Sequence, residues 1–289
     1  MEGFRENLKM TDQEILIGED LKLNKDKLQD GGICCLITGN SGSGKSILSK
    51  KIIKSLNEDN SSQIIVIDFE GEYCELRKNN KFKVVGSGIN YLPGNKPDFN
   101  YELDKIKELC DFVFSDEGVN YVIDVSDLNC NSSLTKNFII DFAENLISFR
   151  KRTKPCCLFI DDLSNVCYRY SKSESDINCK NAIVKLQRLG RSRLVSSFLI
   201  SPRIKSLPKD ITCECNTMLM GKIAIGDFER NALYIGVNKN YFEEIINYDF
   251  VAYGYGFDLE YPIIFNDFLE IKENDFETIK KEYILESKV

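Results

Sequence analysis

Residues 39 to 46 read Gly39-Asn40-Ser41-Gly42-Ser43-Gly44-Lys45-Ser46, a G-x-x-x-x-G-K-S pattern. Glycines at this spacing let successive backbone N–H groups turn inward and cradle a β-phosphate. Lys45 is placed to reach β- and γ-phosphate oxygens, and the Ser46 hydroxyl to ligate Mg2+. The flanks suit that reading. Residues 33–38 are an apolar, strand-like run, and a helical pattern follows from 47 to 56, so the loop opens on the positive end of a helix dipole. The expected ligand is ATP with Mg2+. A flexible glycine loop with no ligand is the alternative, and the strand–loop–helix context argues against it.

Such a loop needs an acidic group at the end of a neighbouring strand to hold the metal. Residues 157–162, Cys-Leu-Phe-Ile-Asp-Asp, supply an apolar run ending in Asp161 and Asp162. Asp161 is expected to hold the metal and Asp162 to orient the attacking water. Turn or cap chemistry explains an isolated strand-end aspartate equally well; the phosphate loop tips the balance. A second run, 64–68, ends in Asp68 and continues Phe-Glu-Gly-Glu72-Tyr73, which makes Asp68 and Glu72 candidates for metal or water positioning. A capped loop is the competing account. Asp124, after the run 121–123, is a weaker third candidate.

Lys185, Arg188 and Arg191 recur every three residues in a helical pattern over 181–193, opposite Ile183, Leu186 and Leu189. Three roles stay open for this face: an arginine finger toward a neighbouring subunit's γ-phosphate, a contact with a DNA backbone, or plain solvation. From 150 to 209 there are fourteen Lys/Arg and four Asp/Glu, although the chain as a whole carries a net charge of −7. This asymmetry fits one basic face on an acidic body, or a solvated helix face.

The chain has no histidine, which removes histidine metal ligands, Ser-His and Cys-His nucleophile pairs and histidine general bases together. Its eleven cysteines lack any C-x-x-C pair and fall largely in apolar runs, as reduced structural thiols do. The N-terminus shows no signal-peptide pattern and no apolar run spans a membrane, so a cytoplasmic protein without membrane contact is expected.

The elements that must position these residues alternate as strands and helices, the mark of βαβ units and a mostly parallel sheet covered on both faces. Strands are expected at 33–38, 64–68, 121–125, 157–161, 196–201 and 217–220, and helices at 46–56, 103–114, 133–149, 181–193 and 228–235. Residues 14–23 read as a small antiparallel edge element. Past 236 the sequence turns aromatic and acidic, which suggests a hairpin and a C-terminal helix. The expected organisation is an N-terminal edge segment over 1–32, an α/β P-loop core over 33–236, and an appendage over 237–289 packed on that core.

Taken in order, these motifs resemble the HerA/FtsK superfamily, on its HerA side. The phosphate loop is similar to that family's G-x-[TS]-G-S-G-K-[ST]. Val66-Ile-Asp68-Phe-Glu-Gly71-Glu72-Tyr73 resembles its I-D-P-H-G-E-Y segment, and Val122-Ile-Asp124-Val-Ser126 its V-I-D-L-S strand. Asp161-Asp162 fall at the Walker B position, Leu189-Gly190-Arg191 with the following strand resemble its G-R helix and sensor strand, and Leu219-Met-Gly221-Lys222 its next strand. The resemblance covers about 33–236. It implies a RecA-like P-loop NTPase domain, ATP hydrolysis, and a hexameric ring that moves double-stranded DNA. Carried over, Lys45 and Ser46 bind ATP–Mg2+, Asp161 holds the metal, and Arg191 is a finger acting in trans.

Four departures bear on this. Asp162 stands where the family has glutamate, one methylene longer. Pro202 replaces the sensor glutamine, leaving Ser201 as the nearest polar substitute. Glu70 replaces a histidine, and the 32 residues before the core are too few for the barrel of cellular HerA proteins, which suits viral packaging or mobile-element ATPases better. The alternative to a motor is a nucleotide-binding switch or assembly protein with weak hydrolysis. A small-molecule kinase is disfavoured, because no Arg-rich lid or acceptor pocket is visible.

Overall fold

In the computed structural model each central strand is a short, mostly apolar run, and consecutive side chains alternate between two cores. The structure describes residues 13–17, 21–87, 96–102, 105–128, 132–170, 173–223, 245 and 247–266. The strands are β1 (Glu14–Leu16), β2 (Lys22–Asn24), β3 (Cys34–Thr38), β4 (Gln63–Asp68), β5 (Phe82–Gly86), β6 (Phe99–Asn100), β7 (Asn120–Asp124), β8 (Cys156–Ile160), β9 (Val195–Ser201), β10 (Thr217–Met220), β11 (Asp249–Gly254) and β12 (Leu259–Asn266). The helices are α1 (Lys25–Gln29), α2 (Lys45–Asp59), α3 (Ile106–Ser115), α4 (Ser132–Ser148), α5 (Glu174–Leu189) and α6 (Lys209–Cys213).

One ten-stranded sheet runs β12-β11-β10-β3-β9-β8-β4-β7-β5-β6. The eight strands from β10 to β6 are parallel, and β11 and β12 add an antiparallel hairpin at the other edge. β1 and β2 pair separately, as the expected antiparallel element. The expected α/β architecture, a mostly parallel sheet with helices on both faces, is therefore present. Leu36, Ile65, Ile67, Leu158 and Leu199 point to the face covered by α3, α4 and α5. Cys35, Ile37, Ile64, Val66, Cys157 and Phe159 point to the face covered by α2 and the β1–β2 unit. Burial on both faces is why these runs read as continuously apolar.

Two differences from the expected elements have physical causes. α5 starts at Glu174 rather than 181, because Ser173 caps it by accepting from the Asp176 N–H at 3.2 Å, with Glu174 and Asp176 in the first turn. It ends at Leu189 because Gly190 meets β9 closely; a Cβ there would lie 2.5 Å from the Val195 carbonyl oxygen. β5 and β6 were not anticipated: Lys83 interrupts the apolar run in β5, and β6 is two residues long. The helix expected at 228–235 and the one expected at the C-terminus lie outside the described residues. The hairpin past 236 is β11–β12.

Ten cysteines are free thiols among the described residues, eight of them buried. No helix there is long and apolar enough to cross a membrane.

Candidate active site

β3 ends at Thr38 and the chain turns through Gly39–Gly44 into α2, a helix of 15 residues. The turn needs glycine: Gly42 and Gly44 hold φ of 77° and 94°. At Gly44 a side chain is also sterically barred, since a Cβ would lie 2.7 Å from Cδ1 of Tyr248. The first-turn N–H groups of α2 have no intrahelical acceptor, and they sit at the positive end of the helix dipole. Lys45 donates to the Asn40 carbonyl at 3.0 Å. Burial lowers its pKa, opposed by Asp161, Asp162, Glu72 and Glu70. These four carboxylates line the same cleft as its ammonium.

The cleft has a volume of about 560 Å³, and the loop, Ser46, Lys50, Glu70, Glu72, Asp161, Asp162, Pro202 and Tyr248 are among its lining residues. That is within the usual range for a ligand site. β8 lies two strands from β3, with β9 between them, and its carboxyl end delivers Asp161 and Asp162 opposite Lys45. Asp161 is 5% exposed. Burial, then the charges of Asp68 and Glu72, push its carboxyl up to about 7. Asp162 holds a left-handed φ of 37° and accepts from the Ser164 hydroxyl at 2.5 Å. That bond pins the carboxylate the family resemblance places at the attacking water.

Three expectations from the sequence are corrected. Asp68 does not face the cleft as a metal ligand. It is fully buried and accepts the N–H groups of Glu70, Gly71, Glu72 and Tyr73 at 2.8–3.2 Å. It thereby shapes the loop that presents Glu70 and Glu72. Asp124 is likewise engaged, accepting from the Ser126 N–H at 2.9 Å and the Cys74 thiol at 3.3 Å. Ser201 cannot stand in for the missing sensor glutamine, because its hydroxyl donates to the Arg203 carbonyl at 3.2 Å. Ile200 and Pro202 line the cleft at the end of β9 instead.

Burial raises the Asp68 pKa to about 6 even with four N–H donors. We expect Asp68→Ala to free those four donors and lower stability by about 2 kcal/mol, a fall in Tm of roughly 4–8 °C. Thermal melting beside wild type checks this, and an unchanged Tm would show that the loop holds itself.

Glu70, Lys50 and Tyr248 are cleft residues that sequence reasoning missed. Lys50 had a signal: it lies four residues after Ser46 and so shares its helix face. Tyr248 had none, being far away along the chain. Arg191 is elsewhere. It sits just before β9, at the opposite end of the sheet from the loop, with its side chain 70% exposed and 3.8 Å from Asp30. Arg188 beside it pairs with Glu214 at 2.7 Å.

The donor set fits a nucleotide with Mg2+. Asp161 is a buried carboxyl held up by its acidic neighbours, Ser46 offers a hydroxyl at the helix start, and Lys45 faces the loop. Among the described residues no group of three or more Cys, Asp or Glu side chains could hold a metal unaided. Mg2+ usually takes one or two protein ligands and completes its shell with phosphate and water, so this spare set suits it.

This combination defines a P-loop α/β fold with strand-end carboxylates facing the loop. Residues 34–139 match the family model described as "Helicase HerA, central domain". A genome-packaging NTPase, B204 from Sulfolobus turreted icosahedral virus 2, solved with ATP-gammaS, is 16% identical with TM-score 0.54, over 82% of this chain and 98% of that one. VirB4 of Thermoanaerobacter pseudethanolicus is 13% identical with TM-score 0.58, over 84% and 91%. The bacterial conjugative coupling protein TrwBdeltaN70 is 10% identical with TM-score 0.62, over 92% and 90%. Among curated proteins, no sequence matches. The chain thus shares the α/β P-loop fold of these solved proteins.

Proposed function

We propose that the protein is an ATP-hydrolysing motor that translocates double-stranded DNA as an oligomeric ring. The observation that carries the reading is the single cleft in which the phosphate loop, Lys45 and two strand-end carboxylates face one another. The division into a segment over 1–32, an ATPase core over 33–236 and an appendage over 237–289 is part of it, as is a cytoplasmic location.

The amides of 40–46 and Lys45 bind the β- and γ-phosphates. Ser46 and Asp161 hold Mg2+, which when bound supplies charge neutralisation across those phosphates. Asp162, with Glu72 beside it, orients the attacking water. Arg191 is too far from its own cleft to serve there, so its role as a finger requires a neighbouring subunit, which is the reason for the ring.

DNA enters the proposal through two loops that begin at the cleft. One leaves Asp162 and carries Tyr168, Arg169 and Tyr170; the other leaves Pro202 and carries Arg203 and Lys205. The Arg169 N–H donates to the Ser206 carbonyl at 2.7 Å, which ties the loops together. Tyr168 and Tyr170 are 53% and 60% exposed, and the Arg169 guanidinium lies 5.5 Å from the Tyr170 ring centroid. Cationic and aromatic groups of this kind suit a phosphate backbone. The similar solved structures include, by name, genome-packaging and conjugative coupling proteins.

Steady-state ATP hydrolysis with and without linear double-stranded DNA tests this, with Lys45→Ala as the blank. Arg169→Ala combined with Tyr170→Ala is expected to lower the ratio of DNA-stimulated to DNA-free turnover about fivefold or more, and to flatten the salt dependence of DNA binding. Tight ATP binding with negligible turnover, whether or not DNA is present, would favour the second reading, a nucleotide-controlled switch. Pro202 and Ile200, which offer no donor at the end of β9, are the observation on its side.

A further inference from the structure

Tyr248 precedes β11 by one residue and lines the cleft. β11 runs antiparallel, so its start lies at the loop end of the sheet. The register places Thr38 beside Met220 and Met220 beside Val251, which brings residue 248 level with the phosphate loop. The Tyr248 N–H donates to the Ser43 carbonyl at 3.3 Å, and the ring packs against Gly44. Its φ is 76°, a left-handed conformation costly for an aromatic residue and retained where the surroundings enforce it.

The strand order gives the cleft a direction. Asp161, Asp162, Glu70 and Glu72 follow β8 and β4, on one side of β3, whereas Tyr248 precedes β11, on the other side. The reacting γ-phosphate belongs with the carboxylates and Lys45. A triphosphate threaded along the loop then carries its nucleoside toward Tyr248.

Resting on the nucleotide reading above, we propose that Tyr248 is the nucleobase platform of the site: the base of the bound nucleotide stacks on its ring. The ring thus contributes affinity for a nucleotide over a bare polyphosphate. Each base has a π-face, so stacking alone supplies affinity for any base rather than a choice among them.

The test compares binding of ATP and of inorganic tripolyphosphate, both with Mg2+, to the full chain. Tyr248→Leu keeps an apolar side chain against Gly44 but removes the aromatic face, and Tyr248→Phe keeps the face. Expected is about a tenfold weaker affinity for ATP in Tyr248→Leu, with tripolyphosphate unchanged and Tyr248→Phe near wild type. Equal weakening of both ligands would overturn the proposal, showing that the ring only props the loop. Unchanged ATP affinity would overturn it too, by placing the base elsewhere. Wild-type protein that binds neither ligand would sink the nucleotide reading itself, a result distinct from the other two because the variants play no part in it.

Discussion

Lys45→Ala is expected to lower ATP affinity about a hundredfold or more and to bring hydrolysis down to the blank. The ammonium shares the cleft with Asp161, Asp162, Glu72 and Glu70, whose charges act on it. Without it, an incoming triphosphate adds negative charge to a group of carboxylates with one fewer cation to offset it. Hydrogen bonds to charged groups contribute about 1.5–3 kcal/mol each, and two phosphate oxygens are lost as acceptors. The fold should survive, because the Lys45 ammonium donates to a loop carbonyl and the residue's backbone bonds do not depend on the side chain. Isothermal titration with ATP, beside a melting curve of the variant, checks both points. Turnover that persisted in the variant would mean that the activity does not arise in this cleft.

Asp161→Asn is expected to make the ligand-free protein more stable while reducing hydrolysis roughly 10²–10³-fold. The carboxyl is pushed up to about 7, chiefly by burial and next by the charges of Asp68 and Glu72, against an ordinary value near 3.9 in the unfolded chain. The folded state therefore holds the proton more tightly than the unfolded one. The contribution of this one group to stability is greatest at low pH and is lost as pH rises from about 4 through 7, where the buried carboxyl must ionise. Replacing it with a neutral amide removes that loss. At pH 8 the gain should be about 1–2 kcal/mol, a rise in Tm of roughly 3–6 °C, because the amide brings polar atoms of its own to satisfy. The gain should shrink as pH falls toward 4 and vanish below it. Melting curves at pH 8, 6 and 4 decide the matter. A variant less stable than wild type at pH 8 would show that Asp161 is stabilising, and that its partners rather than its burial dominate.

Much of the site could be read from contiguous residues. A phosphate loop is a backbone device, and the glycine spacing, the lysine and the following helix are adjacent along the chain, so Gly39 to Ser46 announce the geometry directly. Asp161 and Asp162 were legible for a related reason: an apolar strand ending in acid must present that acid at the sheet's carboxyl edge. The alternation of apolar runs with helical patterns likewise implied a parallel sheet covered on both faces.

The tertiary structure decided which of several similar residues face the cleft. Asp68 and Glu72 belong to one acidic segment, yet Asp68 turns back to accept four N–H groups while Glu72 faces Lys45. Sequence pattern places both near the strand end, but the path of the turn determines the direction of each side chain. Ser201 and Pro202 divide similarly, the hydroxyl satisfied within its own turn and the ring left lining the cleft. Tyr248 was beyond reach for another reason. Its place beside Gly44 depends on β11 pairing with β10 and β10 with β3, and a partner some 200 residues away leaves no trace in local spacing. Composition and periodicity determine which segments form strands and helices; strand order determines which distant side chains meet, because it follows from packing the whole sheet at once.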